Sequence, residues 1–230
     1  MEIFLQPESW IALLTLIMLE IVLGVDNIIF ISIVSNKLPE SQQAKARNLG
    51  LILALAFRVA MLFGITWIIG FTQPLFTVFE NEISGRDLIL AIGGLFLIFK
   101  STTEIHHKME GAEHKQGGGK KSSYSAVILQ IVMLDIIFSF DSILTAIGMT
   151  TELTLMIIAV VVSMGVMMAF AGKISSVINK HPSLQMLALA FLILIGFMLT
   201  LEAVDQHVPK GCIYFAVFFS LMVEILNIRV

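Results

Sequence analysis

Helix-length apolar runs recur along this chain and restrict its folding more than any other feature. They cover about Trp10–Val34, Asn48–Gly70, Asp87–Thr103, Tyr124–Thr150, Leu153–Gly172, Leu184–Leu201 and Gly211–Ile228. A helix that crosses a bilayer needs about 20 apolar residues. Six runs meet that length, whereas the uncharged core of the third, Leu88–Phe99, has only 12 residues. Hydrophobic residues make up 57% of the chain and charged residues 13%, against roughly 25% charged in a soluble domain. Too little polar surface is left for water, so lipid is the expected solvent. Within lipid the backbone must satisfy its own hydrogen bonds, and helices do so segment by segment. The expectation is an all-α, multi-pass protein of the cell (inner) membrane. The opening "MEIFLQPESW" has no positive n-region, which a cleavable signal needs, so the first run is expected to stay as a span.

Positive charge decides the count and the orientation. If all seven runs span with the N-terminus outside, eleven cations face the cytoplasm: Lys37, Lys45, Arg47, Lys100, Lys108, Lys115, Lys120, Lys121, Lys173, Lys180 and Arg229. Arg86 and Lys210 alone face out, and Arg58 lies inside the second run. That asymmetry follows the positive-inside rule. It collapses if the third run does not span, and Lys100 can snorkel to lengthen that run. The reading is seven transmembrane helices, N-out and C-in. Residues 1–107 hold the first three, 108–123 form a cytoplasmic linker containing "GGGKKSS", 124–208 hold the next three and 209–230 the seventh. A net charge of −3 gives no reason to expect a nucleic-acid partner, and the single cysteine, Cys212, excludes an intrachain disulfide.

Two acidic segments repeat without a gap. "IMLEIVLGVDNI" (Ile17–Ile28) aligns with "VMLDIIFSFDSI" (Val132–Ile143) at a constant offset of 115 residues. Glu20 pairs with Asp135, Asp26 with Asp141, Asn27 with Ser142 and Gly24 with Ser139. Apolar matches carry little weight in so hydrophobic a chain, but two acidic positions in one frame carry much more. The copies fall on spans one and four, which cross in opposite directions, so the expected architecture is an inverted 3+3 helix repeat plus one C-terminal helix. Spans three and six share a weaker ending at Glu104 and Glu202. Glu20 and Asp135 would lie near the midplane. Asp26 and Asp141 would lie about 9 Å further along, toward opposite faces. On a regular helix Glu20 and Asn27 share a face, as do Asp135 and Ser142, while Asp26 lies roughly 120° away. Either the acids line two faces of a groove, or the helices are irregular near Gly24 and Ser139.

A lone charge at the bilayer centre costs about 2.5–3.5 kcal/mol on insertion scales, so these acids need partners. Arg58, midway along the second span, is the expected charge partner. Four acids against one arginine leave an excess of negative charge, and that excess suits a cation. Carboxylate, amide and hydroxyl oxygens are hard ligands for Mg²⁺, Ca²⁺ or Mn²⁺. Glu20, Asp26, Asn27, Asp135, Asp141 and Ser142 are the candidate metal ligands. Met18 and Met133 are better explained as packing. Desolvation and like charge favour protonated carboxyls, whereas metal binding requires deprotonation, so one site can exchange a cation for protons. No catalytic residue is expected. An intramembrane aspartyl protease would need two facing aspartates, and the tyrosine–aspartate and GxGD patterns of such enzymes are missing. Export of another small cation or an amino acid is the second transporter reading, and a structural or partner-regulating membrane protein is the remaining one.

The segments "EIVLGVDNIIFISIV", "VMLDIIFSFDSILTAIGM", "GGLFLIFKSTTEIHH" and "HVPKGCIYFAVFFSLMVEILN" resemble the TerC family of integral membrane proteins. That family is named for tellurium resistance and includes manganese exporters. The resemblance implies efflux of Mn²⁺ or a related divalent cation as the transported substrate, with no permanently bound cofactor. Divalent metal, protons and the lipid bilayer are then the partners, and a homo-oligomer is compatible with the sequence. Lys100, Glu104, Glu202, His207, Lys210 and Glu224 fall in family-like blocks, and five of them (Lys100, Glu104, Glu202, His207, Glu224) are candidate pathway residues. Glu202, Asp205 and His207 are either an external vestibule or a solvated loop. Glu224 and Arg229 are an interfacial pair on the simpler reading. Glu104 and His107 have metal-ligand spacing, but a polar helix end frayed into a linker accounts for them better. Gly93, Gly94, Gly165 and Gly196 are expected to allow close helix contacts.

Overall fold

The computed structural model describes residues 6–78, 81–110, 123–206 and 208–229. The chain forms α1 (Pro7–Ser35), α2 (Glu40–Phe63), α3 (Ile65–Gly70), β1 (Pro74–Val78), β2 (Asn81–Ser84), α4 (Gly85–Glu110), α5 (Tyr124–Met149), α6 (Leu153–Lys180), α7 (Pro182–Glu202) and α8 (Lys210–Arg229). Among the described residues, six helices are long and apolar enough to cross a membrane, and α8 supplies a shorter apolar stretch, Gly211–Asn227. The chain is an all-α, multi-pass membrane protein with a small β-hairpin.

Local chemistry sets the ends of these helices. Proline opens α1 and α7, where its missing N–H costs nothing and its fixed φ suits the first turn. Helix α4 begins in a capping box. Ser84 donates from its N–H and hydroxyl to Asp87 Oδ2, at 2.9 and 2.6 Å, and Asp87 N–H returns to Ser84 Oγ at 3.3 Å. Helix α7 ends in a Schellman turn. Gln206 N–H reaches Leu201 C=O at 3.0 Å and Asp205 N–H reaches Glu202 C=O at 3.2 Å. Asp205 takes φ 58°, in the left-handed region that aspartate tolerates better than most residues.

Three expectations about elements change. The second apolar run is not one helix: α2 starts early at Glu40 and stops at Phe63, with Gly64 as its cap, and a separate short helix follows. The third run, short by composition, extends at both ends to give α4 its 26 residues. Charged ends continue a helix whose hydrogen bonds are internal, so the apolar count underestimates the span. Residues 108–110 belong to α4, and the expected linker at 111–122 lies outside the described residues. The hairpin, with Thr77 opposite Glu82 and a register shift near Pro74, was not read from the sequence.

Two compact units divide the chain. One comprises Met1–Gly70 and Lys121–Ser175, the other Phe71–Lys120 and Ser176–Val230. Each unit therefore draws on both halves of the sequence. In the first, α5 packs against α1 and α2, and α2 also meets α1. Its core includes Leu16, Ile31, Leu51, Leu62, Ile131 and Ile143. In the second, α4 and α7 pack along one another, with α8 against α7 and the hairpin against α4. The α4–α7 contact brings backbone to backbone. A Cβ on Gly94 would stand 2.5 Å from Gly196 O, and one on Gly196 would stand 2.7 Å from Gly94 O. Gly165, expected to serve the same purpose, has open space where its Cβ would be.

Candidate functional site

Helices α1 and α5 run unbroken through both acidic segments, so irregularity near Gly24 or Ser139 is not how the acids are arranged. The buried face of α1 carries Leu13, Leu16, Glu20, Asn27 and Ile31, and that of α5 carries Ile131, Asp135, Ser139, Ser142 and Ala146. Steps of three, four or seven residues keep each set on one side of a regular helix. Met18 and Met133, two positions before the central acids, are 63% and 43% exposed. They lie off the buried faces, so they are neither core packing nor thioether ligands at these acids.

Arg58 of α2 joins the two acidic segments. Its Nε and Nη2 donate to Asp135 Oδ2 and Oδ1 at 2.9 and 2.7 Å, and its Nη1 donates to Glu20 Oε2 at 2.5 Å. Asn27 Nδ2 donates to Asp135 Oδ1 at 3.3 Å. The relative exposures of Glu20, Arg58 and Asp135 are 2%, 3% and 2%. The fork on Asp135 is the bidentate geometry that guanidinium makes with carboxylate, and a buried charge-assisted pair of this kind is among the stronger polar contacts. With both acids ionised the cluster carries a charge of −1. Asn27 is also buried, and its Oδ1 has no hydrogen-bond partner among the described residues. A buried acceptor left unsatisfied costs about 1–3 kcal/mol, so this oxygen is a defect of the network as it stands.

The remaining candidates are placed as follows. Ser142 is buried and donates to Ser139 C=O at 3.2 Å, while Ser139 donates to Asp135 C=O and, at 3.3 Å, to Ile136 C=O. These hydroxyls satisfy themselves on their own helix and keep lone pairs available. Asp141 is half-buried, and its C=O accepts from Thr145 Oγ1 at 2.9 Å. The Asp26 side chain and His207 lie outside the described residues. Among the described residues, no three carboxylate, imidazole or thiol side chains converge as a ready-made metal cluster.

In the second unit Glu202 is half-buried and paired with Arg86, whose Nη2 lies 2.5 Å from its Oε1. The partner that makes it more than a solvated loop residue sits 116 positions away, across the α4–α7 contact, where no local pattern reveals it. Asp205 serves the backbone turn. Lys100, Glu104 and Glu224 are half-buried on α4 and α8. His106 and His107 are exposed near the end of α4 with ring centroids 6.2 Å apart, and Lys108 donates to Gln185 Oε1 of α7. Sequence reasoning missed Arg86, whose place at the start of α4 beside an acidic residue reads as ordinary helix-end charge.

Relatives of this chain are known by sequence. It is 55% identical over 226 residues to "UPF0053 inner membrane protein YgdQ" of Escherichia coli strain K12, covering 97% of this chain and 94% of that protein. It is 53% identical over 225 residues to a "UPF0053 protein" of Haemophilus influenzae, covering 97% and 95%. "UPF0053 inner membrane protein YoaE" of Escherichia coli strain K12 is 46% identical over 228 residues, which span 99% of this chain and 44% of that longer protein. No solved structure matches the chain. The family model described as "Integral membrane protein TerC family" matches residues 5–230, and the chain therefore belongs to the TerC family.

Proposed function

We propose that this protein exports divalent metal cations, with Mn²⁺ as cargo, from the cytoplasm across the inner membrane in exchange for protons. Asp26, Asn27, Asp141 and Ser142 join Glu20 and Asp135 as the cation's oxygen ligands, and Arg58 is the charge partner. The observation that carries this reading is the buried Glu20–Arg58–Asp135–Asn27 network. Corresponding acids of the two repeated segments meet there, beside an amide oxygen with no donor among the described residues. A buried set of hard oxygens with excess negative charge selects a small cation over an organic solute. The carboxylates must be ionised to hold it, so protons arriving from outside favour its release. The YgdQ proteins are named as inner membrane proteins, which agrees with a multi-pass location here.

The test is metal content. Cells lacking other manganese exporters are loaded with Mn²⁺ and compared with and without the protein, then with Asp26→Asn and Asp141→Asn. Lower intracellular Mn²⁺ with the intact protein, lost in both variants, is expected. Unchanged metal with the intact protein removes the reading, and export by both variants removes the ligand assignment. In proteoliposomes at clamped voltage, flux indifferent to a pH gradient removes the proton exchange.

A further inference from the structure

In the metal-free site the two central carboxylates already hold a cation, the Arg58 guanidinium. The Arg58 fork lies across both oxygens of Asp135, and its third nitrogen takes Glu20. A hard divalent cation binds carboxylate oxygens at about 2.0–2.6 Å, so to chelate Asp135 it must occupy the ground where Nε and Nη2 now stand. The two cannot share that edge.

We propose that Arg58 is a tethered competitor for the cargo: it fills the site when no metal is bound, leaves Asp135 as metal enters, and returns to expel it. The proposal rests on the cation-export reading and adds how the site is emptied and reset.

Two features of the site support it. The first is release. Glu20 and Asp135 are buried and would hold a divalent ion tightly, and a replacement cation on a flexible stem offsets the cost of letting go. Arginine suits this role because it stays protonated at any working pH. The second is Asn27 Oδ1, which is buried without a donor among the described residues while Arg58 occupies Asp135. An incoming cation gives that oxygen a partner, so the metal-free arrangement carries a defect that the cargo repairs.

The test is Mn²⁺ binding to purified, full-length, detergent-solubilised protein by titration calorimetry, with Mn²⁺ efflux from loaded vesicles in parallel. Arg58→Gln removes the competitor's charge, and Arg58→Lys keeps the charge but loses the fork. Affinity is expected to rise as the grip on Asp135 weakens: several-fold for the lysine variant and tenfold or more for the glutamine variant, with efflux slowed in both. A purely structural arginine predicts the reverse, weaker binding in both variants. If Arg58→Gln does not give a monodisperse protein, Arg58→Lys decides alone. Affinity at or below that of the intact protein overturns the proposal while leaving the export reading untouched. An intact protein that neither binds nor moves Mn²⁺ removes both.

Discussion

Asp135 and Glu20 occupy corresponding places in the repeat, yet the structure uses them unequally, and that inequality can be measured. Asp135 accepts two of the three Arg58 contacts and also the Asn27 amide, whereas Glu20 accepts one Arg58 contact. Asp135→Asn removes the charge under the fork and turns an amide N–H₂ toward a guanidinium N–H. Breaking a buried pair from one side costs about 3–5 kcal/mol. Glu20→Gln keeps an acceptor oxygen while Asp135 still neutralises the guanidinium, so the loss is that of one charged hydrogen bond, about 1.5–3 kcal/mol. For a chain of this size each kcal/mol shifts Tm by roughly 2–4 °C. Asp135→Asn should therefore lower Tm by about 6–20 °C and Glu20→Gln by about 3–12 °C. The assay is the temperature at which half the detergent-solubilised protein leaves the monodisperse chromatographic peak. Arg58→Gln should also be less costly in the Asp135→Asn background than alone, because the buried charge it removes has by then lost its main partner. Equal costs for the two acid variants, or a cost below about 1 kcal/mol for Asp135→Asn, would refute this reading of the network.

The second unit and the orientation each offer a simpler test. Gly94→Ala and Gly196→Ala both push a methyl into backbone across the α4–α7 contact, so each should cost about 1–3 kcal/mol, whereas Gly165→Ala, facing open space, should be close to neutral by the same melting assay. On a Cys212→Ser background, a single cysteine introduced by Gly118→Cys, in the linker expected on the cytoplasmic side, should react with a membrane-impermeant maleimide only after the cells are opened. Labelling in intact cells would overturn the expected N-out, C-in orientation.

Much of this protein was legible from the chain alone because the bilayer penalises charge so heavily. The penalty confines polar residues to few places, and each one that remains in a span carries information. The membrane class, the gapless repeat of Glu20/Asp26 against Asp135/Asp141, Arg58 as the counter-charge, and the shared face of Glu20 and Asn27 all follow from residue type, spacing and the 3.6-residue turn. Tertiary structure decided the matters on which apolar patterning is silent. In helices hydrophobic all round, such as α1 and α5, lipid-facing and core-facing positions look alike, so nothing local separates exposed Met18 from buried Leu16. That one arginine bridges both acids, that Gly94 rather than Gly165 makes the close contact, and that Glu202 finds Arg86 are facts of long-range packing. The sequence states which charges must be compensated; the fold alone states by whom.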